Sequence, residues 1–202
     1  MWLNNVIYEE RVIENERLEL TARDALYFLG HNLTLRRCVL VLRVPAERLH
    51  INRAHLVECT VEAQRELKNF KWSQAHLSGC RFTGRLIGND FGSWRDTDEG
   101  SIAECDFTSA YLDQTRFLGC DVGTLRFPSW PCFTLLDPVR RWRDLRALPW
   151  PGDIGPVVIE GYADRPPSTK AVTYSAPELA KRSGTTPEAI KVILEQLDGV
   201  SY

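Results

Sequence analysis

The sequence predicts a mainly β protein whose chain winds into a square coil, and three observations lead to this prediction. In residues 75–87 and 105–127 a large apolar residue returns at every fifth position. The residue two places before it is usually small. An amphipathic helix repeats its apolar positions at three and four, and a half-buried strand at two, so period five indicates neither. Finally, like residues recur 20 or 21 positions apart, which corresponds to one coil of four short sides.

Residues one coil apart are expected to stack inside, and the sequence contains columns of similar residues at this distance. The predicted columns are Leu40, Val61, Phe82, Ile102 and Val122; Cys38, Cys59, Cys80, Gly100 and Cys120; Leu67, Ile87, Phe107 and Phe127; and Leu35, Leu56, Leu77, Thr97 and Phe117. Leu112, at the centre of the best run of repeats, is predicted to point inward, and its neighbour Tyr111 outward. One extra residue between 40 and 51, and another between 61 and 72, predict a bulge at one corner.

These residues resemble the pentapeptide-repeat family, whose consensus places Ala or Cys two positions before a central Leu or Phe. The resemblance covers roughly residues 33–127 and implies a right-handed quadrilateral parallel β-helix, in which each coil contacts only its neighbours. The sequence departs from the family at the position before the central residue. That position is mostly His, Arg, Tyr or Thr, and it is Asp only at 106 and 121.

The segments on either side of the repeats are predicted to cap the coil. Residues 1–32 are interpreted as an irregular N-terminal cap, since charged or irregular segments commonly cover the unpaired strand edges of a first coil. Residues 128–202 are interpreted as a C-terminal cap rich in proline and tryptophan, because proline removes the donors of a strand ladder. One helix is expected between Pro138 and Leu148, packed over the open end of the coil.

A helical hairpin is predicted over residues 175–198. Its signals are a capping box, a C-terminal glycine and a second N-cap followed by proline: Ser175 with Glu178, Gly184, and Thr186 with Pro187. The hairpin resembles a helix-turn-helix, which makes a DNA-binding regulator one alternative function. Its second helix, however, begins without an Arg, Asn or Gln that could contact base edges, and only Lys191 in it is basic. The sequence therefore favours a packed hairpin and argues against nucleic-acid binding.

The composition is that of an ordinary globular protein, with 44% apolar and 26% charged residues. There is no run of 18 apolar residues and no basic segment followed by an apolar core near residue 1, so neither a membrane helix nor a secretory signal is predicted. Most of the six cysteines take small inward positions. We expect them to be reduced thiols in the core, which indicates a cytoplasmic protein.

The sequence contains none of the motifs that commonly mark a catalytic site. It has no Cys-x-x-Cys pair, no His-Glu-x-x-His, no Gly-x-Ser-x-Gly and no phosphate-loop pattern. His55 and His76 are 21 residues apart and should stack on one outer face, but two ligands without a nearby third make a weak metal site. The protein is therefore predicted to be no enzyme and to hold no cofactor or metal.

Residues 88–101 interrupt the repeats and contain the predicted partner-binding site. Fifteen residues separate Ile87 from Ile102, so the five-residue register is expected to survive. Asp90 and Arg95 would fall at inward positions, where unpaired charges are costly. Either they pair with each other or the segment bulges outward, and the bulge is favoured. The predicted binding residues are Phe91, Trp94, Arg95 and Asp96, because Trp and Arg are enriched at hot spots; the alternative folds both rings back onto the coil.

The charge of the coil helps to distinguish gyrase protection from the binding of another protein partner. Some pentapeptide-repeat proteins protect DNA gyrase, and their rods are proposed to imitate duplex DNA, which has about one negative charge per 1.7 Å. Between residues 33 and 127 this chain has 13 Lys and Arg against 12 Asp and Glu, so the coil is close to neutral. The sequence therefore favours a protein that binds one protein partner, and the resemblance implies toxin neutralisation or immunity as its role. Gyrase protection is the alternative, and a homodimer through a coil end or the cap stays open.

Overall fold

The computed structural model describes residues 4–94 and 100–202, and it shows a mainly β protein built as a parallel β-solenoid of about five turns. A few helices follow at the C-terminal end. The predicted fold class is therefore confirmed. Each strand forms one side of a coil and pairs with the strand on the same side of the next coil.

The elements follow one another closely along the chain. The solenoid strands are β1 Asn4–Tyr8, β2 Arg11–Glu14, β3 Arg17–Leu20, β4 Ala25–Leu29, β5 Leu33–Arg36, β6 Val39–Leu42, β7 Leu49–Ile51, β8 Ala54–Val57, β9 Thr60–Lys68, β10 Ala75–Ser78, β11 Arg81–Ile87, β12 Asp90–Gly92, β13 Ser101–Ala103, β14 Asp106–Asp113 and β15 Thr115–Leu118. The cap contains β16 Cys132–Leu136, α1 Trp142–Arg146, β17 Thr169–Ser175, α2 Ala176–Ser183, α3 Pro187–Leu194 and β18 Val200–Ser201.

Parallel sheets form the sides of the solenoid. One sheet has the order β1-β4-β7, a second β2-β5-β8-β10-β13 and a third β3-β6-β9-β11-β14. A fourth sheet begins with the parallel pair β12-β15 and continues into the cap as the antiparallel strands β17, β16 and β18. The cap therefore extends the solenoid through backbone hydrogen bonds as well as through side-chain packing.

At one corner of the coil, the residue in the same position of successive turns has a left-handed backbone conformation. The residues at this corner all have φ between 51° and 63°: Asn15, Arg37, Glu58, Gly79 and Glu104. The amide of Arg37 donates to the carbonyl of the next coil at 2.9 Å, and that of Glu58 does so at 2.8 Å. Left-handed backbone is uncommon for residues other than glycine. Its repetition here shows that stacking of the corners decides the conformation.

The predicted stacking is confirmed through the first coils. Leu40 pairs with Val61 and Val61 with Phe82, while Leu56 pairs with Leu77. All five side chains are buried, with at most 1% of their surface exposed. Burying a large apolar side chain stabilises the fold by about 1.5–3 kcal/mol, so these columns are a main source of stability.

The predicted columns are wrong at the step that follows Leu77 and Phe82, because the coil that contains the interruption is longer than expected. Leu77 pairs with Ile102, and the ring of Phe82 stacks on Phe107 with 4.8 Å between centroids. Both pairs are 25 residues apart, whereas Leu56 and Leu77 are 21 apart. The predicted spacing at this step was 20 residues, and the five additional residues, the length of one side, move Ile102 and Phe107 by one column.

The column of small residues changes accordingly. Cys105, and not Gly100, follows Cys80, since the amide of the residue after Cys105 donates to the Cys80 carbonyl at 2.8 Å. The first three cysteines of the chain are buried as predicted, but Cys120 is only half-buried, and all six thiols are free. A hydrogen bond with Cys105, together with burial, raises the pKa of Cys80 to about 12. This thiol is therefore protonated at neutral pH.

The third predicted column is also displaced. Leu67 pairs with Leu86, whereas Ile87 pairs with the outward Lys68. The register shifts between Gly84 and Leu86, which accounts for the difference of one residue. Thr97, expected in the fourth column, lies outside the described residues.

The N-terminal segment forms strands instead of the predicted irregular structure. Leu18 pairs with Leu40 and Ile13 with Leu35, so residues 4–29 follow the register of the later coils. Leu20 and Leu29 are fully buried. The solenoid therefore begins before residue 33, because its alternating apolar residues meet the interior of the next coil.

The C-terminal segment packs over the last coil around a second apolar core. Its members include Phe133, Leu145, Tyr162, Leu179 and Ile190. The helix expected between Pro138 and Leu148 is present only as the five-residue α1, whose N-terminal residue receives no side-chain cap. None of the described helices has the length and apolar character needed to cross a membrane.

The predicted helical hairpin is present as α2 and α3. The Ser175 hydroxyl accepts from the Glu178 amide, Gly184 ends α2 with φ of 64°, and the Thr186 hydroxyl caps α3. Tyr111, which was expected to face outward, is half-buried, and its hydroxyl shares a hydrogen bond with the Ser175 hydroxyl. The ring still points out of the coil as predicted, beside Arg85 of the preceding coil, and it is half-buried because the cap covers this side.

The inward position of Leu112 generates a test of the coil. Leu112 is fully buried, whereas Ser109 on the same strand is exposed. Leu112→Asp should lower the free energy of unfolding by about 4 kcal/mol or more, because it places an unpaired charge in the core. Ser109→Asp should change it by no more than about 0.5 kcal/mol. Urea unfolding measures both, and equal effects would show that the strand has another register.

Candidate binding cleft between the solenoid and the cap

Phe91 lies inside the solenoid. It is fully buried and stacks on Trp72 on one side, with 5.7 Å between ring centroids, and on Phe117 on the other, at 5.4 Å. Gly92, with φ of 79°, lets the chain continue so close to Leu118 that a Cβ would meet its carbonyl oxygen at 2.0 Å. The outward bulge predicted for Phe91 is therefore wrong, because its ring fills the interior of the lengthened coil.

Trp94 follows at the surface of the same segment. Its side chain is half-buried, and the guanidinium of Arg116 lies over its ring at 4.7 Å from the centroid. Cation–π contacts of this kind contribute roughly 0.5–1 kcal/mol at exposed sites. Of the other predicted binding residues, Arg95 and Asp96 lie outside the described residues.

Asp90 is buried as the register predicts, and its partner among the described residues is Arg116. Only 3% of its surface is exposed, and both carboxylate oxygens accept from Arg116, at 2.6 Å from Nε and 2.7 Å from Nη2. Arg116 occupies the next coil, on a strand that pairs with the Asp90 strand. The sequence reasoning missed this pair because it assumed a coil of ordinary length at the interruption.

A second buried carboxylate joins the solenoid to the cap. Asp113, at the end of β14, is 2% exposed. It accepts from Arg182 on α2 at 2.6 and 3.1 Å and from the backbone amide of Ser175 at 3.0 Å. The capping box predicted at Ser175 is therefore completed by Asp113 of the solenoid instead of by the Glu178 side chain.

These two ion pairs border a cleft of about 420 Å³ between the coils and the cap. The solenoid contributes corner residues and Arg116, and the cap contributes β17, α2, the short helices Gly155–Ile159 and Glu160–Asp164, and Arg165. The lining side chains include Asn69, Gln114, Arg116, Val157, Val158, Arg165, Tyr174 and Arg182. Trp94 therefore contacts a residue of the cleft wall.

Three arginines line this cleft, and two of them have carboxylate partners within residues 4–94 and 100–202. Arg116 and Arg182 are paired with Asp90 and Asp113. Arg165 is half-buried and lies over the Tyr162 ring at 5.8 Å from the centroid, and no acidic side chain of residues 4–94 or 100–202 is within ion-pair distance of it. Among the arginines that line the cleft, the charge of Arg165 is therefore the one without an ion-pair partner in the described residues.

Two hydrogen-bonded tyrosines, one in the cleft wall and one behind it, are neutral. The hydroxyls of Tyr162 and Tyr174 share a hydrogen bond of 2.7 Å, and burial raises the pKa of both. Arg165 and Arg182 act on the pKa of Tyr174 in the opposite direction, which places both guanidinium groups near the same phenol. The arrangement can attract an anion by charge and hydrogen bonding.

The two histidines form the stack that the sequence predicts. The rings of His55 and His76 lie 4.4 Å apart and nearly parallel, and His76 also shares a hydrogen bond with Ser101. Within the described ranges, no group of three His, Cys, Asp or Glu residues could hold a metal ion. The cleft, which the two buried ion pairs border, is therefore the candidate site among these residues.

Comparison with known proteins adds no relative. No protein-family model matches the chain, and neither the curated proteins nor the solved structures contain a match. The resemblance to pentapeptide repeats consequently rests on the residues and the solenoid alone.

The Asp113–Arg182 pair generates a prediction about the docking of the cap. Arg182→Ala leaves a buried carboxylate without its cation, and it should lower the free energy of unfolding of the cap by about 3–5 kcal/mol. The matched control is Glu160→Gln, which breaks an exposed pair with Arg146 and should cost no more than about 1 kcal/mol. Urea unfolding followed by tryptophan fluorescence measures both. Similar small losses in the two variants would contradict a structural role for the buried pair.

Proposed function

We propose that this chain is a non-enzymatic binding protein that presents the junction of solenoid and cap to one protein partner. The observation that carries the proposal is the contact of Trp94 with Arg116 at the cleft. Both residue types are enriched where binding energy is concentrated, and both side chains are partly exposed. Phe91 serves the core, so it is withdrawn from the predicted binding set.

The rigid surroundings of Arg116 support the same proposal. Arg116 is held by two short hydrogen bonds to Asp90, and the strand behind it is paired on both sides, with β12 and with β17. A side chain that is already ordered loses little entropy on binding, which favours affinity. The surface is therefore ready for a partner without rearrangement.

The role of this binding is proposed from the family resemblance. Neutralisation of a toxin by direct contact, as an immunity or protection protein of bacterial cytoplasm, fits a surface that binds one protein. A homodimer through a coil end stays a prediction. Within the described part of the chain, β1, β2 and β3 each pair on one side only, and such open edges can pair with another chain.

The structure bears on the alternative of a DNA-binding hairpin. Lys191, the basic residue of α3, lies over the Trp130 ring at 5.5 Å from the centroid, and Ile190 and Leu194 of α3 are fully buried. The helix is thus engaged in the cap and offers little to a base edge. Gyrase protection has no comparable supporting contact beyond the resemblance.

The proposal predicts that Trp94→Ala weakens partner binding by roughly thirtyfold or more, which corresponds to about 2 kcal/mol. The partner is first isolated by pull-down from the native host, and its affinity is then measured by calorimetry. The control is Arg140→Ala, which removes an exposed cap arginine and should leave affinity unchanged. A large fall in melting temperature with intact affinity would mean that Trp94 serves stability and that the partner binds elsewhere.

A further inference from the structure

Arg165 has donors that nothing in the described structure uses. The side chain lines the cleft and is half-buried, and its contact with Tyr162 involves the ring face. A guanidinium has five N–H donors in a planar fork that matches a carboxylate. Partial burial without a counter-ion is unfavourable, and an anionic ligand would relieve it.

The two paired arginines also retain free donors. Arg116 binds Asp90 through Nε and Nη2, and Arg182 binds Asp113 through Nη1 and Nη2. Nη1 of Arg116 and Nε of Arg182 make no hydrogen bond to the described residues. Because both side chains line the cleft, they can add donors for an anion that Arg165 holds.

The remaining walls suit a peptide better than a free inorganic anion. Val157 is 70% exposed, and Val158, Val172 and Leu179 also line the cleft. Asn69 and Gln114 contribute exposed side-chain amides, which can donate to and accept from a peptide backbone. A peptide with apolar residues beside an acidic one would contact all three kinds of wall.

We propose that the cleft binds an acidic segment of the partner protein, with a Glu or Asp carboxylate on Arg165 and an adjacent apolar side chain on Val157. This inference rests on the proposed partner binding and specifies its chemistry. One carboxylate would neutralise the charge of Arg165, which has no ion-pair partner among the described residues. Arg116 and Arg182 orient the bound carboxylate while they keep their own buried aspartates.

Short probes test the chemistry without the partner. We would titrate two blocked tripeptides, Leu-Glu-Val and Leu-Gln-Val, and inorganic phosphate, while observing the arginine Nε–H signals by NMR. The glutamate peptide should shift the Arg165 signal saturably and bind at least tenfold more tightly than the glutamine peptide. Equal affinity for the two peptides would overturn the inference. Phosphate binding as tight as that of the glutamate peptide would overturn it too, because the site would then be one for small anions.

Variants identify the residue responsible. Arg165→Gln should weaken the glutamate peptide at least tenfold, and Arg165→Lys, which keeps the charge, should recover part of the loss. Arg140→Gln is the matched control and should bind normally. Melting temperatures confirm that each variant is folded. Unchanged peptide affinity in folded Arg165→Gln would contradict the assignment.

The isolated partner separates this inference from the proposed function. If both hold, Trp94→Ala and Arg165→Gln each weaken the partner. If Trp94→Ala weakens it and Arg165→Gln does not, the acidic-segment inference fails while partner binding at the junction stands. If neither variant weakens the partner, the proposed function fails as well.

Discussion

Every coil of this protein has to place its inward side chains and its backbone amides on those of the preceding coil, and the rest of the structure depends on that constraint. Leu35, Leu56 and Leu77 satisfy it side by side, with parallel hydrogen bonds on the same sheet. The left-handed corner at Arg37 and Glu58 satisfies it even though neither residue favours that conformation. Departures from the repeat therefore have to be absorbed within one coil and leave its neighbours in register.

The interruption shows how such a departure creates the surface that we propose as the binding site. The coil that contains it is four residues longer than the preceding one, yet Phe91 still stacks between Trp72 and Phe117. The same segment places a buried Asp90 under Arg116. Two apolar side chains in place of Asp90 and Arg116 would be simpler to pack. Local departures of this kind tend to occur where a protein functions. The exposed part of the Arg116 side chain forms part of the solenoid wall of the cleft.

The sequence predicts what depends on local or evenly repeated patterns. The columns through Phe82 and the caps at Ser175 and Thr186 were predictable, because period and capping signals lie within short stretches of chain. The columns after Phe82 were not, since the pattern does not reveal how many residues an irregular coil absorbs. The cleft was missed because Arg116, Arg165 and Arg182 are far apart in sequence and are brought together only when the cap packs on β14 and β15.

The central claim is that a partner binds at the junction of solenoid and cap, and hydrogen exchange tests it most directly. Exchange would be measured by mass spectrometry on the protein alone and in complex with the partner isolated from the native host. The account predicts slower exchange on complex formation in peptides that cover residues 111–118 and 154–166, which flank the cleft. Slower exchange confined to the strands that present His55 and His76, with the cleft peptides unchanged, would contradict it.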